Sequence, residues 1–220
     1  MSRSITEDEL EQLRTFIDNK LENLNDFNEI IKLKRRNLIH VKDRLFLEIE
    51  VNSGYRLSEI LSLKWNQVYD FEKNRFFEKF NIGKDNMKGK KKGRKHIISL
   101  TVKHWLKLLK HIWHRLYGVS FTDSKESHIF RSFKKIDYNI HKVSAVSIFY
   151  RFLQIFKELD IDYSNLSTHS FRKLYIQRMY ELCDRDIVKT AIFSGHSNPQ
   201  TLLFYLNAED KKIDKVLKEQ

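Results

Sequence analysis

The stretch Ser194-Gly195-His196-Ser197-Asn198-Pro199-Gln200-Thr201-Leu202-Leu203-Phe204-Tyr205 decides how this chain is read. Gly195 allows the backbone to turn sharply. Asn198 is a good N-cap, and Pro199, the only proline in the chain, suits the first helical position. The pattern predicts a tight turn, a helix start beside His196, and Tyr205 projecting from the short helix that follows. A histidine near a helix N-terminus, with a phenol close by, is what an anion-handling nucleophilic site needs. The same residues also fit a capped surface helix with a packed tyrosine. The rest of the chain has to choose between the two.

Working outward, Gly54-Tyr55-Arg56-Leu57-Ser58-Glu59 places Arg56 between two helix ends. Leu38 to Ser53 reads as a mostly buried helix with Gly54 as its C′ cap, and the next helix starts around Leu57 or Ser58. Farther on, Ser167 or Thr168 caps a helix whose first turn holds His169 and Arg172 at i, i+3 spacing. These two share one face at the positive end of that helix, a ready anion site. Alone, each motif has an ordinary reading: a surface arginine paired with Glu59, and a polar i, i+3 pair.

In this order the three motifs resemble the tyrosine recombinase (phage integrase) family. Its hallmark is an early Arg, a Lys on a β-hairpin, His-x-x-Arg, a His or Trp, and a nucleophilic Tyr. The resemblance runs from about Ile5 to Tyr205. It implies that Arg56 and Arg172 present forked donors to the scissile phosphate, as lysine could not. Glu59 would support the site from behind, and His196 would add a hydrogen bond to the same phosphate. Tyr205 would be the nucleophile, His169 the acid/base partner of its hydroxyl, and a hairpin lysine the general acid for the leaving 5′ oxygen. Counting back from Ile97-Ile98-Ser99-Leu100 selects Lys91, with Lys88, Lys90 and Lys92 as neighbours in the same run. The implied reaction is cutting and rejoining of double-stranded DNA through a 3′-phosphotyrosine, without metal, ATP or other cofactor. Arginines replace a metal as the charge stabiliser. A tetramer in the synapse is implied as well, with the free chain a monomer.

Composition points the same way. The formal net charge of +12 favours a polyanionic partner. Half of that excess lies in Lys84-Asp85-Asn86-Met87-Lys88-Gly89-Lys90-Lys91-Lys92-Gly93-Arg94-Lys95, more than a solvated face needs. Lys84, Lys88, Lys90, Lys92, Arg94 and Lys95 are therefore the expected DNA contacts, each neutralised phosphate steepening the salt dependence. At 220 residues and 41% hydrophobic the chain is an ordinary globular protein with room for one good core. The single cysteine, Cys183, excludes an internal disulfide and fits a reducing compartment. The nine histidines show no Cys/His or His-Glu clustering of the kind that holds a metal. No apolar stretch is long enough to span a bilayer, and Met1-Ser2-Arg3-Ser4 is no signal peptide. The expected location is cytoplasmic, on the nucleoid if the host is prokaryotic.

The expected fold is mainly α with a small antiparallel β-sheet (α+β), the catalytic-domain fold of the family. Thr6-Glu7-Asp8-Glu9 is a capping box stapled by Ile5 and Leu10, with Leu10, Leu13, Ile17 and Leu21 at helical spacing behind it. A short helix is expected over Asn28 to Lys34, and a polar break at Arg35-Arg36-Asn37. Strand-like segments at Gln67 to Phe71, Arg75 to Phe80 and His96 to Leu100 predict one small sheet. Helices follow at Val102 to Tyr117, at 145–159 with Phe149, Phe152, Leu153 and Phe156 as core, and at Asp186 to Phe193. In the helix at 145–159, Arg151 and Lys157 are expected to face DNA. The whole of 1–220 reads as one catalytic domain without the N-terminal core-binding domain of the family, so weak, salt-sensitive DNA binding is expected. Residues 207–220 form a charged tail suited to docking on a neighbouring protomer. Two other readings stay open: a type IB topoisomerase-like enzyme that rejoins the same strand, and a non-catalytic DNA-binding protein with no use for Tyr205. A general RNA-binding module fits poorly, because the aromatics follow core spacing.

Overall fold

The computed structural model describes residues 2–21, 35–83, 86, 93–117, 125–131 and 143–206. The opening helix, α1 (Glu7–Lys20), begins as its sequence dictates: Thr6 accepts from the Glu9 amide and Glu9 answers to the Thr6 amide. This reciprocal cap satisfies two of the donors that a helix start leaves open, and its loss costs about 1 kcal/mol. Leu10, Leu13, Ile17, Leu21 and Ile5 are all buried.

The central element is α2 (Arg35–Ser53). It packs against α1, against the following α4 (Leu100–Tyr117), and against α6 (Ser170–Leu182). Arg35-Arg36-Asn37 form its first turn rather than a break. Arginine is a good helix former, and neither Gly nor Pro interrupts the run. Surrounded on three sides, α2 buries charged residues as well as apolar ones, and nearly all of them are paired. Glu48 accepts from Arg14 at 2.8 Å and from Arg44; Arg44 also donates to Asp18 at 3.0 Å. Arg151, expected to face DNA, donates to buried Asp43 at 2.9 Å, so its guanidinium is turned to α2.

After α2 come the single turn α3 (Leu57–Ile60), a 3₁₀ turn at Trp65–Gln67, and four short strands. They form two separate antiparallel ribbons in place of the one expected sheet. β1 (Tyr69–Asp70) pairs with β2 (Arg75–Phe76), and β3 (Lys79–Ile82) with β4 (Arg94–Ile97). The run Arg75–Phe80 divides at Phe77-Glu78, where Phe77 turns back to bond the Val68 carbonyl and Glu78 accepts from Ile98. Leu100 opens α4 instead of closing a strand.

The remaining helices are α5 (Ala145–Glu158), α7 (Ile187–Ser194) and α8 (Gln200–Leu206). Ser144 caps α5 through the Ser147 amide. The buried face of α5 is Ile148, Phe152, Ile155 and Phe156, while Phe149 and Leu153 are half-buried. Both stripes are apolar, so periodicity does not choose; the Arg151–Asp43 pair fixes the rotation. Residues 125–131 lie along 63–66, with Ile129 and Phe130 buried. The expected helix over Asn28–Lys34, most of the segment 120–140, and the tail 207–220 lie outside the described residues. No helix among the described residues is long and apolar enough to cross a membrane.

Candidate active site

Four chain turns bring the site together. At the C-terminus of α2, Gly54 adopts φ +57°, and a Cβ there would fall 2.1 Å from the Tyr175 ring. Only glycine fits both demands. The chain then runs straight into Arg56, whose amide and guanidinium are both held by buried Glu59, at 2.8 and 3.0 Å. Glu59 thus fixes Arg56 between α2 and α3.

Arg172 is fully buried in the first turn of α6. Its Nη1 donates to the Gly54 carbonyl, and its Nη2 donates to the Ser194 carbonyl at 3.2 Å and faces His196 Nε2 at 3.1 Å. Neither carbonyl brings a negative charge. Burial, together with Arg56 and Arg94, lowers Arg172 to about 10, still charged at neutral pH. Its Nε–H is buried with no acceptor among the described residues. Helix α6 begins at Ser170, so His169 occupies the cap position, exposed, and the expected Ser167 cap instead accepts from the His169 amide at 3.2 Å.

The turn after α7 is a Schellman motif. Gly195 takes φ +71°, its amide bonds Ile192, and the His196 amide bonds Ala191 at 2.9 Å. This folds the His196 ring back against Ser194, with Nδ1 2.7 Å from Ser194 Oγ. Burial, with Arg172, Arg56 and Arg94 close by, pushes His196 down to about 3, so the ring is neutral. Asn198 accepts from the Gln200 amide at 2.9 Å, as an N-cap does, and starts α8. Tyr205 packs against a small second core of Tyr175, Ile176, Ala191 and Leu202. Its ring lies 5.5 Å from that of His196, and Lys173 Nζ stands 5.9 Å from its centre.

A third arginine joins this cluster. Arg94, expected among the DNA contacts of the hairpin, turns inward from β4. Its guanidinium donates to the Ser194 carbonyl at 2.6 Å and to the Ser53 carbonyl, and it stacks 3.8 Å from the Tyr55 ring. The Tyr55 hydroxyl donates back to the Arg94 carbonyl at 2.5 Å. Arg94 Nε, too, is buried without an acceptor among the described residues. A basic run gives no sign of which member will turn inward; the structure starts β4 at Arg94, two residues before the expected strand. Lys95 is exposed, while Lys84, Lys88, Lys90, Lys91 and Lys92 lie outside the described residues.

The structure therefore gathers Arg56, Arg172, His196 and Tyr205, with Glu59 behind and Arg94 beside them. Three guanidinium groups share this small volume with one buried carboxylate, Glu59, which pairs with Arg56 alone, an arrangement that favours an anion with several acceptor oxygens. Among the described residues no group of His, Cys, Asp and Glu is placed to hold a metal.

Solved structures share this fold. The XerH site-specific recombinase bound to palindromic difH substrate is 17% identical, with a TM-score of 0.64 over 98% of this chain and 52% of that one. The XerA recombinase is 16% identical (TM-score 0.60, 100% of this chain, 64% of that). The Tn1549 transposon integrase in complex with transposon right end DNA is also 16% identical (TM-score 0.59, 97% and 66%). At such identities the likeness is one of fold, and the chain spans about half the length of XerH. No curated protein matches the chain. The model of the phage integrase family matches residues 3–212, nearly the whole sequence, and the chain belongs to that family.

Proposed function

We propose that this chain is a site-specific DNA recombinase that cuts and rejoins double-stranded DNA through a phosphotyrosine at Tyr205. The observation that carries this reading is the arginine cluster beside Tyr205, with Glu59 its one paired carboxylate and two buried Nε–H donors lacking acceptors among the described residues. A phosphodiester supplies the missing oxygens. Arg56 and Arg172 engage its non-bridging oxygens, and preorganised donors of this kind are worth roughly 3–4 kcal/mol each. Tyr205 Oη attacks phosphorus and gives its proton to His169. The bond to the 5′ oxygen breaks, and that oxygen leaves with the electron pair and takes a proton from Lys91. The phosphotyrosine preserves the bond for rejoining, so no ATP is consumed. The hairpin lysines contact the DNA backbone, and residues 207–220 dock on a neighbouring protomer in a tetrameric synapse.

Covalent trapping tests this reading. Supercoiled plasmid is incubated with the protein without metal or ATP, quenched in SDS, and compared with Tyr205→Phe. A DNA-linked adduct that vanishes in the mutant is the expected result. An adduct that survives it names the wrong nucleophile, and none with wild type on plasmid or on a nicked cognate duplex favours a binding-only protein. Exchange between two sites, as against relaxation alone, separates a recombinase from a type IB topoisomerase-like enzyme.

A further inference from the structure

Ser194 has one hydroxyl proton and two close acceptors, with the Ala191 carbonyl farther off at 3.5 Å. Its buried Oγ lies 2.7 Å from the Thr190 carbonyl and 2.7 Å from His196 Nδ1. Across the imidazole, Nε2 lies 3.1 Å from Arg172 Nη2, a nitrogen that can only donate. A carbonyl can only accept. One arrangement satisfies every group: Arg172 donates to Nε2, Nδ1–H donates to Ser194 Oγ, and the Ser194 hydroxyl donates to Thr190. The opposite tautomer would set an Nε2–H against an N–H of Arg172. Because the ring is neutral it carries a single proton, and the two arrangements exclude each other.

In the first arrangement His196 has no N–H to offer an anion, contrary to the role its position suggests. Arg172 Nη2 divides its two protons between Nε2 and the Ser194 carbonyl. Should that nitrogen turn to a phosphate oxygen, Nε2 loses its donor. Rotating the Ser194 hydroxyl from Thr190 to Nδ1 then makes Nδ1 the acceptor. The ring proton is returned to solvent at Nδ1 and taken up again at Nε2, which becomes a donor to the phosphate; the net charge does not change. A hydroxyl rotation achieves this without moving the ring, which the Gly195 turn holds in place.

We propose that Ser194 is a positioning residue that selects the tautomer of His196. It holds Nε2 as the acceptor that orients Arg172 in the free protein, and supports an Nε2–H donor once Arg172 engages phosphate. The first half rests on the free protein alone, the second on the strand-cleavage reading above.

The free, full chain labelled with ¹⁵N-histidine provides the test, with His196→Gln used to assign the ring signals. Long-range proton–nitrogen correlation reads which nitrogen is protonated. Wild type and Ser194→Thr, which keeps the hydroxyl, should show the proton on Nδ1; Ser194→Ala should show it on Nε2 or exchanging between the two. A proton on Nε2 in the wild type, or the same tautomer in wild type and Ser194→Ala, overturns the proposal. On plasmid DNA, Ser194→Ala should slow adduct formation roughly 10- to 100-fold, as losing the orienting partner of a histidine does elsewhere. DNA retention should be unchanged and Ser194→Thr should restore the rate; an unslowed Ser194→Ala overturns the second half. A wild type that forms no adduct on plasmid or nicked cognate duplex counts against strand cleavage, and with it the second half, while the ring nitrogens still decide the first.

Discussion

Two regions of this molecule bury arginines, and they treat them in opposite ways. Between α1, α2 and α5, Arg14, Arg44 and Arg151 each meet a carboxylate, from Glu48, Asp18 or Asp43. In the cluster around Arg172, Glu59 is the one paired carboxylate, and the other donors end on backbone carbonyls, on the neutral His196 ring or, among the described residues, on nothing. The first region is complete as it stands. The second carries a charge imbalance that a folded protein does not keep without use, because a buried charge without a counter-ion is costly. Pairing within the chain marks structure, and a surplus of aligned cations marks the place of an external anion.

Removing one carboxylate from the paired region should cost most. Glu48→Ala leaves Arg14 and Arg44 without their shared partner and should lower stability by about 3–5 kcal/mol in urea unfolding. In the unpaired region the loss should fall on activity instead. Arg172→Ala should slow SDS-trapped adduct formation roughly 10²–10³-fold, the scale of one lost donor to developing charge. If Arg172→Ala instead unfolded the protein with no change in rate among folded molecules, the two regions would not differ in kind. Gly54→Ala tests the frame between them: its left-handed backbone and the Tyr175 ring both oppose a methyl group, and a loss of about 1–3 kcal/mol is expected by thermal melting.

The pH dependence sharpens the contrast further. His96, held to about 4 by burial and Arg94, and His196, at about 3, are neutral in the fold but protonate near 6.5 when unfolded. The unfolded chain therefore binds more protons as pH falls below about 6.5, and stability should drop on acidification. Glu50 opposes this. Fully buried, with neither carboxylate oxygen bonded to any described residue, it is raised well above the usual range by burial, against the pull of Arg172. It stays protonated in the fold where the unfolded chain has already lost the proton. Glu50→Gln should thus steepen the loss of stability between about pH 6.5 and 4.5; an unchanged slope would mean Glu50 is ionised beside Arg172. The smallest effect belongs to a pair in solvent: Glu158→Ala, opposite Lys20 at 3.4 Å, should change stability by less than about 0.5 kcal/mol.

Much of this was legible in the sequence. The helices were, because caps and 3.6-residue periodicity are local: Thr6 with Glu9, Ser144, and Asn198 with Pro199 each start a helix where expected. The position of Arg56 between two helix ends was legible from Gly54. What escaped were features decided by partners far away. Arg151 is a plausible DNA contact until Asp43 is seen 2.9 Å from it. Arg94 is one of seven basic residues in its run, and its inward turn depends on the carbonyls of Ser53 and Ser194. Ser194 reads as a plain helix-end serine until the Gly195 turn lays His196 upon it. The division of the strands at Phe77-Glu78 likewise depends on Val68 and Ile98, which no local pattern announces.

The carbonyls that hold the arginines also bear on how the chain folds. Arg172 reaches back 118 positions to Gly54 and forward 22 to Ser194, while Arg94 spans 100 to the same Ser194 carbonyl. Contacts at such separation form only after the loop entropy between them has been overcome, and they tend to form late. The helices can be present while the three guanidinium groups still point in unrelated directions. Under the proposed function, competence to break a DNA strand would arise only with these late contacts, and partly folded or nascent chains would carry the same residues without the reactivity.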